Sequence, residues 1–282
     1  MGEDGEMYVD YETWFNLSAY DPIPHPSGVK ESKYRVSLVP DEYCWNPEEY
    51  CNVRPNSDFE WMTYENPFNI PEESCHMIEY KSVDNVNNYE DINTLCVFAD
   101  HTGPEIEVGF EGDQYIVNEE NETIEWISLS TNISVETLDP EPHPAGVAET
   151  KYRITKLDSD DACNSEEACM YAEVDGEWTS FDNPLGGIFQ AGEESCHVIE
   201  VYSVDNVGKD SNYKNCVFVD DTAPYTNKTI GNPKAPMSEE NKRLGSAFYP
   251  ELDPEGDNIC DTHPEMCMEV TTMTPLDLAC VD

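Results

Sequence analysis

The amino-acid sequence predicts an all-β chain of tandem Greek-key β-sandwiches with intradomain disulfides. Three observations predict this fold class. One unit is written twice in the chain, apolar and polar residues alternate within each copy, and cysteines recur at matching positions. A period of two is typical of half-buried strands. About seven short strands per unit, separated by turn residues, are typical of a sandwich.

The internal repeat fixes the domain organisation. HPSGVKESKYRV at 25–36 recurs as HPAGVAETKYRI at 143–154, and EESCHMIEYKSVDNV at 72–86 recurs as EESCHVIEVYSVDNV at 193–207. A fixed period is the signature of repeat architectures. We therefore predict one repeat over residues 1–104, called repeat 1, and a second over residues 105–224, called repeat 2.

A third copy is indicated near the end of the sequence. A pattern of Thr-x-apolar-x-apolar followed four residues later by Asp occurs at 13–21, 131–139 and 274–282. We predict that residues 225–282 hold a linker or insertion and the first strands of a truncated third repeat. The sequence also begins with acidic residues and lacks an export signal. These two observations predict that the chain is a piece of a longer precursor.

The charge of the chain excludes several classes of partner. The 282 residues include 14 Lys+Arg and 60 Asp+Glu, which gives a formal net charge of -46. Nucleic acid and anionic membranes attract basic surfaces, so neither is an expected partner. No apolar run is long enough to predict a membrane span. Such acidity favours bound divalent cations or a salty habitat.

Eleven cysteines without a CxxC pair favour an oxidising compartment over structural zinc. Four cysteines per repeat allow three connectivities. Among these we favour the short clips Cys44–Cys51 and Cys163–Cys169, with Cys75–Cys96 and Cys196–Cys216 bridging neighbouring strands. Cys260 and Cys267 are expected to form a further clip, which leaves Cys280 without a partner in this chain.

The motifs at 27–36, 76–85 and 217–224 carry a family resemblance. They resemble the immunoglobulin-like repeats of bacterial and archaeal surface proteins. The resemblance implies an immunoglobulin-like form of each sandwich, a location outside the cell or at its surface, and a role in stalks, surface layers or adhesion. The four cysteines per repeat and the acidic insertions depart from most such repeats.

Carboxylates are predicted to converge where the two repeats meet. The turn after the second strand and the last hairpin of a sandwich lie at one pole, and the final strand ends at the other. In a tandem array the end of repeat 1 therefore meets that pole of repeat 2. Hard oxygen ligands of this kind suit Ca²⁺, and the residues predicted to hold it are Asp100, Glu105, Asp139, Glu141, Asp205 and Asn206.

Other residue types receive structural interpretations. The recurring histidines at 25/143 and 76/197 are expected in a turn and a half-buried strand, and Trp61 and Trp178 are expected in the core. Trp14, Trp45 and Trp126 are candidates for a binding surface. Sequons that predict N-glycosylation occur at Asn16, Asn121, Asn132 and Asn227.

The sequence predicts a structural extracellular protein rather than an enzyme. It contains no nucleophile-elbow serine and no Gly-rich phosphate loop. The predicted role is a surface-layer, stalk or filament subunit, adhesive in some settings, with itself or neighbouring surface proteins as partners. Residues 274–282 could complete a neighbouring sheet by strand addition. The alternative is a glycan- or protein-binding module of a secreted protein.

Overall fold

The structure is a computed structural model that describes residues 6–52, 60–119, 122–230, 234–236, 268–270 and 276–281. The chain divides into two compact units, Met1–Asp220 and Asp221–Asp282, and the first unit contains repeat 1 and all but the last four residues of repeat 2. About half of the described residues lie in β-strands and few in helices, which confirms the prediction of a mainly β fold class. None of the helices among them is long and apolar enough to cross a bilayer.

Repeat 1 is built on one mixed sheet. Its strands lie in the order β1-β5-β4-β2-β3, with β1 parallel to β5 and the other pairs antiparallel. An extended segment at 13–20 lies against this sheet and forms an isolated antiparallel bridge between Phe15 and Phe68. The strands are β1 (Tyr8–Val9), β2 (Val29–Leu38), β3 (Met62–Thr63), β4 (Ser74–Asp84) and β5 (Asn93–Ala99).

Repeat 2 has two sheets around one core. A six-stranded sheet has the order β11-β10-β13-β14-β8-β7, and a three-stranded sheet has the order β12-β9-β6. Ile133 and Val135 of the small sheet and Ile199, Val201 and Val217 of the large one belong to one buried cluster. The strands are β6 (Glu105–Glu111), β7 (Gln114–Glu119), β8 (Glu122–Ile127), β9 (Asn132–Leu138), β10 (Val147–Lys156), β11 (Thr179–Ser180), β12 (Gly186–Phe189), β13 (Ser195–Asp205) and β14 (Asp210–Val219).

The two repeats share strand register as well as sequence. Tyr34 pairs with Tyr80 in repeat 1, and the matching Tyr152 pairs with Val201 in repeat 2. The irregularity between Val29 and Glu31 recurs at the equivalent residues of β10. The duplicated segments therefore form equivalent strands.

The cysteines pair differently from the favoured prediction, which is wrong in both repeats. The disulfides are Cys44–Cys75, Cys51–Cys96, Cys163–Cys196 and Cys169–Cys216. Cys44 and Cys51 lie in short helical turns, Glu42–Trp45 (α1) and Pro47–Cys51. Their counterparts in repeat 2 lie in Asp160–Asn164 and Glu166–Tyr171 (α2).

Strand register explains the error. Cys75 lies opposite Phe98, and Cys96 lies opposite Met77. The two cysteines are therefore diagonal neighbours, about 7–8 Å apart at Cα, whereas a disulfide needs roughly 4.4–6.8 Å. Each cysteine instead bonds to a helical turn, with a Cα separation of 5.9 Å for Cys44–Cys75.

The described residues of the second unit form two strand pairs, β15 (Tyr225–Ile230) with β18 (Leu276–Val281) and β16 (Lys234–Pro236) with β17 (Met268–Val270). Tyr225 pairs with Val281. These residues align with Glu105 and Leu138, which pair in repeat 2. The register of β15 with β18 is therefore the one that the match of residues 274–282 to residues 131–139 implies. Cys260 and Cys267 lie outside the described residues.

Candidate metal site between the two repeats

Three aspartates converge where repeat 1 passes into repeat 2. Asp100 directly follows β5, Asp139 directly follows β9, and Asp205 is the last residue of β13. One carboxylate oxygen from each lies within 4.8 Å of the other two. The exposed fractions of the three residues are 1%, 6% and 3%. Three of the six residues predicted for this site are thus brought together.

Both oxygens of Asp100, and one oxygen each of Asp139 and Asp205, accept hydrogen bonds from backbone N–H groups. Asp139 accepts from the Gly146 backbone at 2.6 Å, and Asp205 accepts from the backbones of Val207 and Lys209. Asp100 accepts from the Ala145 backbone at 2.7 Å, which connects the two repeats directly. These bonds hold the carboxylates in place and account for part of their burial.

The remaining carboxylate oxygens define the electrostatic character of the cluster. Asp139 Oδ1 and Asp205 Oδ2 are buried and have no hydrogen-bond partner. Burial, with the charge of Asp100 next, raises the pKa of Asp139 to about 6. Burial also raises the pKa of Asp100 and of Asp205. A buried polar atom without a partner is costly, so this cluster is complementary to a cation.

Repeat 1 carries the same turns, and no described residue adds a third carboxylate to them. Asp21 accepts from the Gly28 backbone at 2.8 Å, and Asp84 accepts from the backbones of Val86 and Asn88. Both aspartates are partly exposed. At Asp84 the hydrogen bonds, led by Asn88, outweigh desolvation and lower the pKa. The pKa of its counterpart Asp205 is raised instead, which fits its burial at the junction.

Three further predicted ligands lie outside the cluster. Glu105 and Glu141 are exposed. The side-chain Nδ2 of Asn206 donates to the carbonyls of Ala145 and Gly146, so it supports the turn that holds Asp139.

Sequence reasoning missed other contacts between the repeats. Lys209 Nζ lies 2.8 Å from Asp10 Oδ2 and 3.8 Å from the centre of the Tyr11 ring. His143 stacks on Phe98 and lies 3.1 Å from a carboxylate oxygen of Asp41. Comparison of the two repeats could have pointed to Lys209. Asn88 occupies the matching position in repeat 1, so the lysine is particular to repeat 2.

The tryptophans expected in the core lie at the surface instead. Trp178 is 36% exposed and Trp61 is partly exposed. Trp61 covers the guanidinium of Arg35, and Trp178 covers that of Arg153, at 4.8 and 4.5 Å from the ring centres. Arginine stacks well on aromatic faces, which explains why this pair recurs without being buried.

The sequons occupy different environments. Asn16 is exposed, and Asn132 is partly buried with its Oδ1 accepting from Gln190. Asn227 lies in β15, and Asn121 lies outside the described residues. Trp14 and Trp45, the other binding candidates, are 60% and 49% exposed, while Trp126 stacks on Phe218.

Comparison with known proteins gives no assignment. No protein-family model matches the chain, and no curated protein matches its sequence.

Proposed function

We propose that this chain is a structural extracellular repeat protein, a subunit of a surface layer, stalk or filament, whose inter-repeat joint is stiffened by Ca²⁺. The observation that carries the proposal is the Asp100–Asp139–Asp205 cluster. Its carboxylates come from both repeats, so a cation bound among them connects the end of one repeat to the beginning of the next.

The chemistry of the cluster favours a hard divalent cation. Ca²⁺ takes six to eight oxygen ligands at roughly 2.3–2.6 Å and accepts irregular geometry. Three carboxylates would supply the protein part of that shell and waters the rest. The cation would neutralise repulsion between the aspartates and satisfy Asp139 Oδ1 and Asp205 Oδ2, which have no partner in the folded protein.

Four intrachain disulfides support an oxidising location. We further infer that each repeat is an immunoglobulin-like Greek-key sandwich at a cell surface. The two-sheet core of repeat 2 and the duplicated strand register support this inference. Tandem modules joined end to end suit a load-bearing role.

Calcium-dependent thermal unfolding of the full chain tests the proposal. Ca²⁺ at 100 times its Kd would stabilise the folded state by about 2.7 kcal/mol, or roughly 5–10 °C in melting temperature for a unit of this size. The titration uses CaCl₂ against MgCl₂ and against NaCl of equal ionic strength. These controls separate binding from screening of the large net charge.

The repeat offers a matched pair of variants. Asp139→Asn removes one carboxylate of the cluster, whereas Asp21→Asn changes the equivalent turn of repeat 1, to which the described part of the chain adds no third carboxylate. We expect Asp139→Asn to abolish the Ca²⁺-dependent shift and Asp21→Asn to retain it. Equal shifts in both variants, or no shift in the unmodified chain, would contradict a specific site at the joint.

A further inference from the structure

The outer side of the small sheet in repeat 2 is acidic. Side chains alternate between the two sides of a strand, and the buried Ile133 and Val135 of β9 therefore place Glu136 on the outer side. The same alternation in β6 places its glutamates there, and all of them are exposed: Glu105, Glu107 and Glu111. The sequences of β6, β9 and β12 contain no lysine or arginine. We call this surface the acidic face.

Two features of the acidic face are unfavourable in an isolated sandwich. Glu107 lies directly opposite Glu136, and like charges in this position repel each other. Leu138 and Ile188, which lie on the same side of the sheet, are 65% and 60% exposed. Contact with a cationic surface that also carries large side chains would relieve both.

The outer side of the large sheet in repeat 2 is cationic and aromatic. Lys151 and Arg153 of β10 lie directly opposite Tyr202 and Glu200 of β13. Trp178 lies near both cations, with the Lys151 ammonium 5.8 Å and the Arg153 guanidinium 4.5 Å from its ring centre. The rings of Trp178 and Tyr202 contact each other edge to face. We call this surface the cationic face.

Lys151 is the cation of this face that is suited to a further partner. Arg153 already donates to Glu200. Lys151 lies 3.8 Å from Glu149, and these side chains are 27% and 45% exposed. A pair this exposed contributes little to stability, so Lys151 can exchange Glu149 for a carboxylate of another molecule at small cost.

The cationic face recurs in repeat 1. There, Lys33 of β2 lies directly opposite Lys81 of β4, an unfavourable pairing of like charges. The ammonium of Lys81 lies 4.3 Å from the centre of the Trp61 ring. In a chain with 14 Lys+Arg against 60 Asp+Glu, the same cation and tryptophan arrangement thus occupies the matching place twice.

We propose that the cationic face of repeat 2 docks on the acidic face of repeat 2 in a second copy of this chain. The two faces are opposite sides of one sandwich, because each is the outer side of one of its two sheets. A contact between unlike faces leaves one of each open, so further copies can add in a row. The inference deepens the proposed role as a layer or filament subunit, and rests on that role only for its biological meaning.

The spacing of the charges fits this contact. Residues two apart on a strand are about 6.8 Å apart, so Lys151 and Arg153 repeat at the same distance as Glu105 and Glu107. Aromatic residues and arginine are enriched in protein interfaces. Trp178 would cover the apolar side chains that are exposed on the acidic face.

Self-association of the full chain tests the proposal, measured by sedimentation velocity over a concentration series in EDTA. In about 0.15 M NaCl the Debye length is about 8 Å, which screens the repulsion between whole chains and leaves charges in contact paired. We expect concentration-dependent association that weakens in about 1 M NaCl. A chain that stays monomeric at every concentration would overturn the proposal.

Charge reversal identifies the two faces. Lys151→Glu reverses a charge of the cationic face, and Glu107→Lys reverses one of the acidic face. Each variant alone should associate about tenfold more weakly, because like charges then meet. The matched control is Lys156→Glu, which changes the net charge as Lys151→Glu does but lies on the other side of β10. We expect the control to associate as the unmodified chain does.

An equimolar mixture of the two face variants is the decisive experiment. One contact in the mixture joins two unmodified faces, and the other joins two faces whose charges have been exchanged. The mixture should therefore recover the association that each variant loses alone, and urea midpoints check that both variants are folded. Unchanged association of either variant, or no recovery in the mixture, would contradict the contact. Because EDTA removes Ca²⁺ throughout, this contact and the cation site in the joint can fail separately.

Discussion

The ammonium group of Lys209 in repeat 2 lies 2.8 Å from the carboxylate of Asp10 in repeat 1, and the side chains are only 15% and 11% exposed. An ion pair this shielded differs from a surface pair, because removing one partner leaves the other buried without compensation. It also fixes the tip of the β13–β14 hairpin against the first strand of repeat 1.

We expect Lys209→Ala to destabilise the unit by about 1–3 kcal/mol, measured by urea denaturation. The matched control is Lys156→Ala, which breaks a pair with Glu193 in which both side chains are about half exposed. That control should cost about 0.5 kcal/mol or less. Similar losses of unfolding free energy in the two variants would show that the junction pair stabilises the fold no more than an exposed pair does.

The same pair predicts a pH dependence. Burial alone would raise the pKa of Asp10, but the hydrogen bond and charge of Lys209 lower it below its usual value. Since the folded-state pKa lies below the unfolded one, the stabilisation is full above the unfolded-state pKa of about 3.9. It disappears as the pH falls through the folded-state pKa. The stability difference between the wild-type chain and Lys209→Ala should be constant from pH 7 to about 5 and shrink below about 4.

A buried ion pair inside repeat 1 gives a third prediction. Glu79 is 0% exposed, and its Oε2 accepts from Arg35. We expect Arg35→Met to cost about 3–5 kcal/mol, and the double variant Arg35→Met/Glu79→Met to recover most of it, because the buried charge is then absent. Urea midpoints of both variants measure the difference. If the double variant is as unstable as the single one, the lost stability comes from the packing of Arg35 under Trp61 and not from the buried charge.

The disulfide connectivity is directly testable by non-reducing peptide mapping. Cleavage after Glu48 and Glu49 separates Cys44 from Cys51. We expect Cys44 to remain linked to a peptide containing Cys75, and Cys51 to one containing Cys96. A linked Cys44–Cys51 fragment would contradict the structure.

The success and failure of prediction from the sequence have physical causes. Asp139 and Asp205 could be placed because the repeat alignment locates their turns, and tandem order brings Asp100 to the same pole. Glu105 was misplaced because strand alternation directs its side chain to solvent. The cysteine pairing failed because periodicity locates strands but cannot show that a short helical turn lies over Cys75 and Cys96.

The lower burial of segment 13–20 could not be predicted from residues alone. Phe15 and Leu17 have the alternation of a buried strand, as do Ile133 and Val135. Their burial depends on whether a neighbouring strand is present, which is a property of pairing rather than of local sequence. Only the comparison of two repeats in three dimensions exposed the difference.

The short connection at residues 100–104 sets a path for mechanical force. Tension along the chain would leave repeat 1 through β5 and enter repeat 2 through β6. β5 carries Cys96, which is bonded to the helical turn at Cys51, so that strand cannot peel away without pulling the turn with it. Repeat 1 would therefore resist unravelling from this end, whereas β6 (Glu105–Glu111) of repeat 2 contains no cysteine and would be the first strand on that side to yield.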